Sequence, residues 1–503
     1  MAGDADFDRF ADGFASGTPQ LVARELVADT QTPVSAYLRL AAGSRNTFLL
    51  ESVEGGEIRG RFSIIGLTPD LIWRCRGTTA EINRTPQDGD VFVADDRPPI
   101  ESLRALMAES AMTDTGTLPP MAAGLFGYFG YDMIRHIEAI PDANPVAIDT
   151  PDSMLVRPSL IAIFDRLRDS ITLVVQVRPR EWDEPAAAWN VAQSRIANAL
   201  KALDAPMPAT EAGGSQAVLP QPQSNVTEKG FLSMVETAKD YIRAGDIFQV
   251  VLSQRFSIPF HLPAINLYRS LRRLNPSPFL FFFDFDDLAI VGSSPEILVR
   301  LRDDVVTIRP IAGTRKRGAT PEEDAANAED LMGDVKERAE HLMLLDLGRN
   351  DVGRVSRPGT VRVKSKYDVE YYSHVMHIAS QVEGEIRPDL DAVDAMIAGF
   401  PAGTVSGAPK IRAMEIIAEL ENSIRGPYTG ALGYIGFDGA MDTNILIRTA
   451  IIRDKKITFQ VGGGIVADSQ PEAEYLETLD KARGLITAIG AEAETRADEK
   501  ISS

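Results

Sequence analysis

One interruption restricts this chain more than any other feature. Between positions 204 and 227 it gathers Pro206, Pro208, Pro220 and Pro222 with Gly213, Gly214 and several Ser, Gln and Asn residues, and apolar periodicity disappears. Proline removes a backbone donor and glycine raises the entropy of ordering, so no regular element is expected there. We therefore divide the sequence into a flexible N-terminus (1–19), an N-terminal region (20–203), a linker (204–227), a C-terminal region (228–490) and a flexible C-terminus (491–503). Both regions mix strand and helix patterns. Residues 159–164 and 170–175 are β-branched runs, and 185–203 is Ala-rich with helical spacing. After the linker, 228–244 reads as a helix and 246–256 alternates as a strand. Short strands follow at 280–284, 289–291, 297–301 and 305–309. Tight loops among these favour antiparallel neighbours over βαβ crossovers. The expected class is α+β, with large antiparallel β-sheets packed together and covered by helices.

Charge and cysteine usage exclude several functions. The 503 residues hold 52 Lys and Arg against 72 Asp and Glu, a net charge of −20. That field repels nucleic acid and anionic membranes, so neither is expected as a partner. It would also repel a small anionic substrate, which must then be met by local cations or a metal. The single cysteine, Cys75, excludes an internal disulfide and a thiolate zinc or iron–sulfur site. The start is acidic, without the basic-then-apolar order of a signal peptide, and no apolar run approaches the ~18 residues of a membrane span. A cytoplasmic location is expected.

Three kinds of motif carry candidate chemistry. Glu337 and Glu340 share a helical segment whose apolar face reads as Val335, Ala339, Leu342 and Met343. Glu474 and Glu477 follow Ser469-Gln-Pro-Glu472, a capping-box start. A spacing of three puts each pair on one side of its helix, and two facing pairs suit Mg²⁺, which takes one or two carboxylates plus waters and substrate oxygens. The same spacing also describes solvated surface carboxylates. Gly462-Gly463-Gly464 follows a strand at 457–461, and Gly313-Thr314 follows one ending at Ala312 and precedes Arg315, Lys316 and Arg317. Each is an anion cradle or a plain glycine turn. The phosphate loop and the dinucleotide glycine fingerprint are both missing, which disfavours nucleotide chemistry. Among five histidines, His374 and His377 stand three apart and His341 adjoins Glu340, while His136 and His261 lack chemical company. No His-Glu-x-x-His supports zinc.

Taken together these stretches resemble the chorismate-utilising enzymes, and within them the anthranilate synthase component I branch. The resemblance covers most of the chain and is strongest from about 228 to 490. It is carried by Asp246-Ile-Phe-Gln-Val-Val-Leu-Ser253, Asn275-Pro-Ser-Pro-Phe279, Ser294-Pro-Glu296, Pro310-Ile-Ala-Gly-Thr314, Glu340-His-Leu-Met-Leu-Leu-Asp-Leu-Gly-Arg-Asn-Asp351, Val375-Met-His377 and Gly403-Thr-Val-Ser-Gly-Ala-Pro-Lys410, then by the Gly462 and Glu474/Glu477 regions. The resemblance implies Mg²⁺ held by Glu340 and Glu477, with Glu337 and Glu474 close by. It places substrate contacts at Gly313, Thr314, Tyr428, Arg448, Gly462, Gly463, Gly464 and Lys481. In such enzymes ammonia adds at C2 of chorismate while the C4 hydroxyl leaves, and pyruvate is then eliminated to give anthranilate. Glu296 is the implied acid for the departing hydroxyl, with His377 and Thr404 positioning and completing the reaction. Hydroxide leaves poorly, so such an acid is what the chemistry demands.

Two positions separate the branches of that family. Relatives that add water carry a Lys in the Val-Val-Leu strand, where this chain has Gln249, an amide too weak to act as a base. Aminodeoxychorismate synthases, the nearest alternative, read Pro-Ile-Lys-Gly-Thr where this chain has Ala312. An alternative of another class is a non-catalytic tryptophan-sensing relative, against which the intact Glu340, Glu477, Glu296 and His377 speak. Leu49-Leu-Glu-Ser52 and Pro278-Phe279-Leu280 match the family's tryptophan feedback site, with Leu280 where some relatives carry Met, a volume-conserving change. Cys75 lies far from any glutaminase motif, so a separate glutamine amidotransferase subunit (component II) is the expected ammonia source, in a hetero-oligomer. The isolated chain should accordingly use ammonium but not glutamine until that partner is added. Glutamine use that survives purification and a Cys75→Ser substitution would contradict this.

Overall fold

The computed structural model describes residues 4–52, 60–112, 115–141, 144–208, 221–372 and 375–501. His374 and the middle of the linker, 209–220, lie outside them. The expected α+β class holds: strands join one hydrogen-bonded network and every strand pairing in it is antiparallel. Two helices have their sequence-expected bounds for identifiable reasons. Pro185–Leu203 begins with Pro in its first turn, where a missing N–H costs nothing. Glu228–Ala244 is capped by the Thr227 hydroxyl, which accepts from the Gly230 N–H, and is ended by Gly245 in the left-handed region at φ 84°. Strands run longer than their β-branched cores suggest. The run 159–164 sits inside Ser153–Asp165, which is buried throughout and pairs with both Phe62–Arg76 and Ser170–Val177. Pro158 is tolerated in that central strand because it opposes Pro69 next to a register shift, where ladder bonding is already broken.

The two regions interleave rather than stand apart. Thr47–Glu51 pairs with Phe279–Asp284, and Gly124–Phe129 pairs with Ala431–Gly436. Phe48, Phe126 and Phe283 stack across this seam, with ring centroids 4.6 and 5.0 Å apart. Two corrections concern the termini. Residues 4–15 form the helix Asp4–Ala15, in which Phe7 and Phe10 pack on Trp189 with ring centroids 5.9 and 5.0 Å apart. Their spacing of three supplies the apolar face that the polar composition conceals. At the other end the helix Pro471–Ile501 continues through most of the segment expected to be flexible. No helix among the described residues is long and apolar enough to cross a membrane.

A buried ion pair fixes the floor of the C-terminal sheet. Arg425, only 2% exposed, donates to Glu421 Oε1 at 2.7 Å and to the Val251 and Val405 carbonyls at 2.7 and 2.9 Å. Glu421 also accepts from the Ser253 N–H and hydroxyl at 3.0 and 2.6 Å. Removing one partner of such a pair strands a charge in low dielectric. Glu421→Ala should therefore cost about 3–5 kcal/mol in chemical denaturation, whereas Asp346→Ala, which breaks the exposed pair with Arg349, should cost at most ~1 kcal/mol.

Candidate active site and an adjoining cavity

Glu296 occupies the two-residue link between strands Ala289–Ser294 and Ile297–Arg302 and is 6% exposed. Burial pushes its carboxyl up to about 8. The Thr404 hydroxyl, the Ile311 N–H and the charges of Arg309 and Arg448 oppose that rise without cancelling it. A side chain that is anionic in water is thus a neutral proton donor here at pH 7. Thr404 stands in the short helix Gly403–Ser406, and its buried Oγ1 makes no hydrogen bond of normal geometry.

His377 lies on strand Val375–Glu385, paired with Thr314 where Ile311–Lys316 bulges at Gly313. The bulge turns the Gly313 carbonyl to within 2.8 Å of His377 Nδ1, and Thr314 Oγ1 lies 3.1 Å from the same nitrogen. A carbonyl only accepts, so Nδ1 carries the proton and Nε2 keeps its lone pair. Burial, assisted by Arg448 and Lys481, holds this imidazole down at about 4. Gly313 is not the end-of-strand turn expected but a bulge within the strand at φ 70°, and a Cβ there would stand 3.1 Å from Glu337 Oε2. The basic run beside it is no anion cradle either. Arg315 pairs with Asp330, Asp334 and Glu337, and Arg317 with Asp324.

The three glycines 462–464 are likewise inside a strand. Lys456–Ile465 pairs along its length with Gln249–Pro259, putting Gly463 opposite Leu252. Bare backbone lets three side chains close upon it. A Cβ at Gly464 would lie 2.4 Å from Gln249 Nε2, at Gly463 3.4 Å from Glu474 Oε2, and at Gly462 3.0 Å from Tyr428 Oη. Gln249 Nε2 in turn donates to Glu340 Oε1 at 3.2 Å. Lys481 Nζ bridges Glu477 Oε1 at 2.7 Å and the Gly462 carbonyl at 3.0 Å. Arg448 is exposed, and its backbone is in the left-handed region at φ 52°, an uncommon state for a side-chain-bearing residue that tends to mark functional sites. Its charge reaches both Glu296 and His377.

Helix Val335–Val355 carries Glu337 and Glu340 on a face different from the one anticipated. Val335 is 80% and Leu342 48% exposed, and the buried stripe is His341, Leu344, Leu345, Gly348 and Val352. Val335 opens the helix and Leu342 lies about two turns on, and both side chains are left uncovered. His341 belongs to the buried stripe, with Nε2 2.6 Å from the Ser380 hydroxyl, and has a structural role. Glu340 is held above the usual carboxylate range by burial and by Glu337 and Glu477, and Glu474 by burial and by Glu477. Such crowded carboxylates fit a divalent ion by donor type, all hard oxygen. Among the described residues no three acidic, His or Cys side chains converge into a ready-made cage.

A cavity of about 120 Å³ brings together Ser52, Pro278, Phe279 and Leu280. The sequence reading missed its polar wall. Arg300 and Arg302 flank Asp442 at 2.7 and 3.1 Å, while Asp442 Oδ1 and Asn444 Oδ1 are buried without hydrogen-bond partners. The signal was present as Arg-x-Arg and Asp-x-Asn alternation, but it acquires meaning only when strand Ile297–Arg302 is paired with Met441–Ile445, which sets Arg300 opposite Asp442.

Residues 24–487 match the chorismate binding enzymes, and the chain belongs to that family. Within it, the similarity runs to proteins named anthranilate synthase component 1. The one from Cereibacter sphaeroides is 55% identical over 480 residues, covering 95% of this chain and 96% of the relative. That of Pseudomonas putida is 46% identical over 482 residues, covering 95% and 96%. The crystal structure of anthranilate synthase component I from Streptococcus pneumoniae superposes with a TM-score of 0.76 at 37% identity, covering 92% of this chain and 98% of that one.

Glu296 makes a pH-dependent prediction that needs no substrate. Its folded carboxyl titrates near 8 and its unfolded one near 4.5, so the folded state holds a proton that the unfolded chain releases between those values. Its contribution is fully favourable below about pH 4.5 and is lost as pH rises to about 8. Glu296→Gln cannot ionise. Its unfolding free energy relative to wild type should therefore rise between about pH 4.5 and pH 8 and level off above; a constant difference would refute the buried neutral acid.

Proposed function

We propose that this chain is the synthase subunit of anthranilate synthase, a lyase that converts chorismate and ammonia to anthranilate and pyruvate in the first committed step of tryptophan biosynthesis. The observation that carries the reading is a buried Glu296 that keeps its proton at pH 7 together with a His377 whose Nε2 stays unprotonated, both within reach of the Arg448 charge. Glu296 gives its proton to the C4 hydroxyl, which departs as water while ammonia forms its bond to C2, and the resulting ammonium returns a proton to the Glu296 carboxylate. The Nε2 lone pair of His377 accepts the C2 proton as the bond from the ring to the enolpyruvyl oxygen breaks and the ring aromatises, and the released enolpyruvate takes a proton on its methylene carbon to become pyruvate. Arg448 and Lys481 offer positive charge to the substrate's carboxylates, which offsets the net charge of −20. Gly313, Thr314, Tyr428 and the 462–464 backbone supply the remaining contacts. Glu340 and Glu477, with Glu337 and Glu474 beside them, would hold Mg²⁺, which neutralises carboxylate charge on the substrate when bound. Gln249 and Ala312 leave neither a base for water nor an amine beside the ring, which favours amination.

Ammonia is supplied by a glutamine amidotransferase partner. In support, the Cys75 thiol is buried and its pKa is pushed up to about 12 by that burial, so it holds no thiolate for glutamine attack. L-Tryptophan occupies the Ser52 cavity as feedback inhibitor. The unpartnered Asp442 and Asn444 oxygens suit its ammonium group, and Phe279 and Leu280 its ring.

With chorismate, Mg²⁺ and ammonium, the purified chain should form fluorescent anthranilate and pyruvate. Glu340→Gln or Glu477→Gln should lower that rate ~10²-fold or more with the fold intact; wild-type turnover in either would remove the metal assignment. Ser52→Phe should fill the cavity and relieve tryptophan inhibition while ammonium-dependent turnover persists. Superimposable inhibition curves for wild type and variant would show Ser52 to be structural only.

A further inference from the structure

We infer that Arg309 is the positioning residue through which occupancy of the Ser52 cavity reaches Glu296 and His377. The inference rests on the tryptophan and acid–base assignments above, and goes beyond them by naming the coupling element. Arg309 stands between strands Val305–Ile308 and Ile311–Lys316, both of which pair with Val375–Glu385, the strand of His377. Its side chain is 4% exposed and lines the cavity. Its ion partner is Glu370, which lies opposite His377 across the ladder between Arg362–Tyr371 and Val375–Glu385. Ile297, the residue after Glu296, lines the same cavity, and Phe279 pairs with Ser294, two residues before Glu296.

One buried guanidinium therefore faces an inhibitor cavity on one side and the catalytic strands on the other. Its charge also bears directly on the Glu296 carboxyl. Guanidinium donors form a rigid planar fork, so aiming them at a new acceptor spoils their alignment with an old one. A carboxylate-bearing occupant competes with Glu370 for that fork, and the strand carrying Glu370 then loses the anchor that sets its register against His377. Inhibition at a distance requires that the ligand bind two arrangements unequally, and the Arg309 contact is where the arrangements differ.

The test is a binding linkage in the full chain. Tryptophan binding is measured by equilibrium dialysis with and without saturating chorismate, ammonia being withheld so that no product forms. In wild type, chorismate should weaken tryptophan binding ~5-fold or more, because coupling between two sites is reciprocal. Arg309→Gln should still bind tryptophan while the chorismate effect falls to less than about twofold, and Arg309→Lys, which keeps the charge but not the fork, should lie between. If thermal melting shows Arg309→Gln unfolded, the reduced linkage in Arg309→Lys decides. A folded variant with wild-type linkage refutes the inference, even if its turnover or melting temperature drops, since a merely structural arginine would behave so. If neither variant binds tryptophan, Arg309 is only part of the binding site and the relay is refuted. A wild-type chain that binds no tryptophan overturns the cavity assignment itself, and is visible in the first measurement.

Discussion

The ladder between Gln249–Pro259 and Lys456–Ile465 is the contact on which the active site depends. It runs with three consecutive glycines on one strand, so the surface above it is backbone rather than side chain. Gln249 and Tyr428 can then approach where a Cβ would crowd them, while Glu474 and Glu477 stand at ordinary contact distance from Gly463. Glycine in a strand interior forfeits packing and costs conformational entropy. The buried Arg425–Glu421 pair ties Val251, Ser253 and Val405 together beside this ladder.

The site solves an electrostatic problem posed by the whole chain. A protein with net charge −20 brings Glu340 under the influence of Glu337 and Glu477, and Glu474 under that of Glu477, in a site proposed to bind an anion. Burial removes part of the conflict by holding Glu296, Glu340 and Glu474 above the usual carboxylate range. Arg448 and Lys481 remove more of it, and the same cations help keep His377 neutral. The Glu296 carboxyl and the His377 imidazole are thereby ordered opposite to their order in water, the carboxyl holding its proton to higher pH than the ring.

The interleaving of the two regions explains how a cavity far from chemistry in sequence lies next to it in space. Ser52 belongs to the N-terminal region, yet Thr47–Glu51 is hydrogen-bonded to Phe279–Asp284, and that strand to Ala289–Ser294, which leads directly into Glu296. The Ser52 cavity and Glu296 therefore share one sheet network, and on the proposed reading a ligand in the cavity has a route through strand pairing to the candidate site.

Local pattern was enough for some of this. The helices at 185–203 and 228–244 were legible because Pro185, Thr227 and Gly245 are boundary signals that act within one turn. The antiparallel class followed from short strands and tight loops. The quoted motifs, from Gln249 to Glu477, located the candidate site residues because chemistry constrains each residue type in place. Where the sequence misled, the missing term was a neighbour distant in the chain. Val335 and Leu342 look like a buried face and are exposed, since the helix turns its other side, through His341, Leu344 and Leu345, to the interior. Gly313 and Gly462–Gly464 look like turns and lie within strands, because cross-strand partners at 377 and 252 hold them there. Arg309 carried no signal, and the Asp442-x-Asn444 alternation acquired its meaning only from register and burial. Composition, caps and motif chemistry are properties of the chain; protonation states, cavities and the joining of two sites arise only when distant strands exclude water between them.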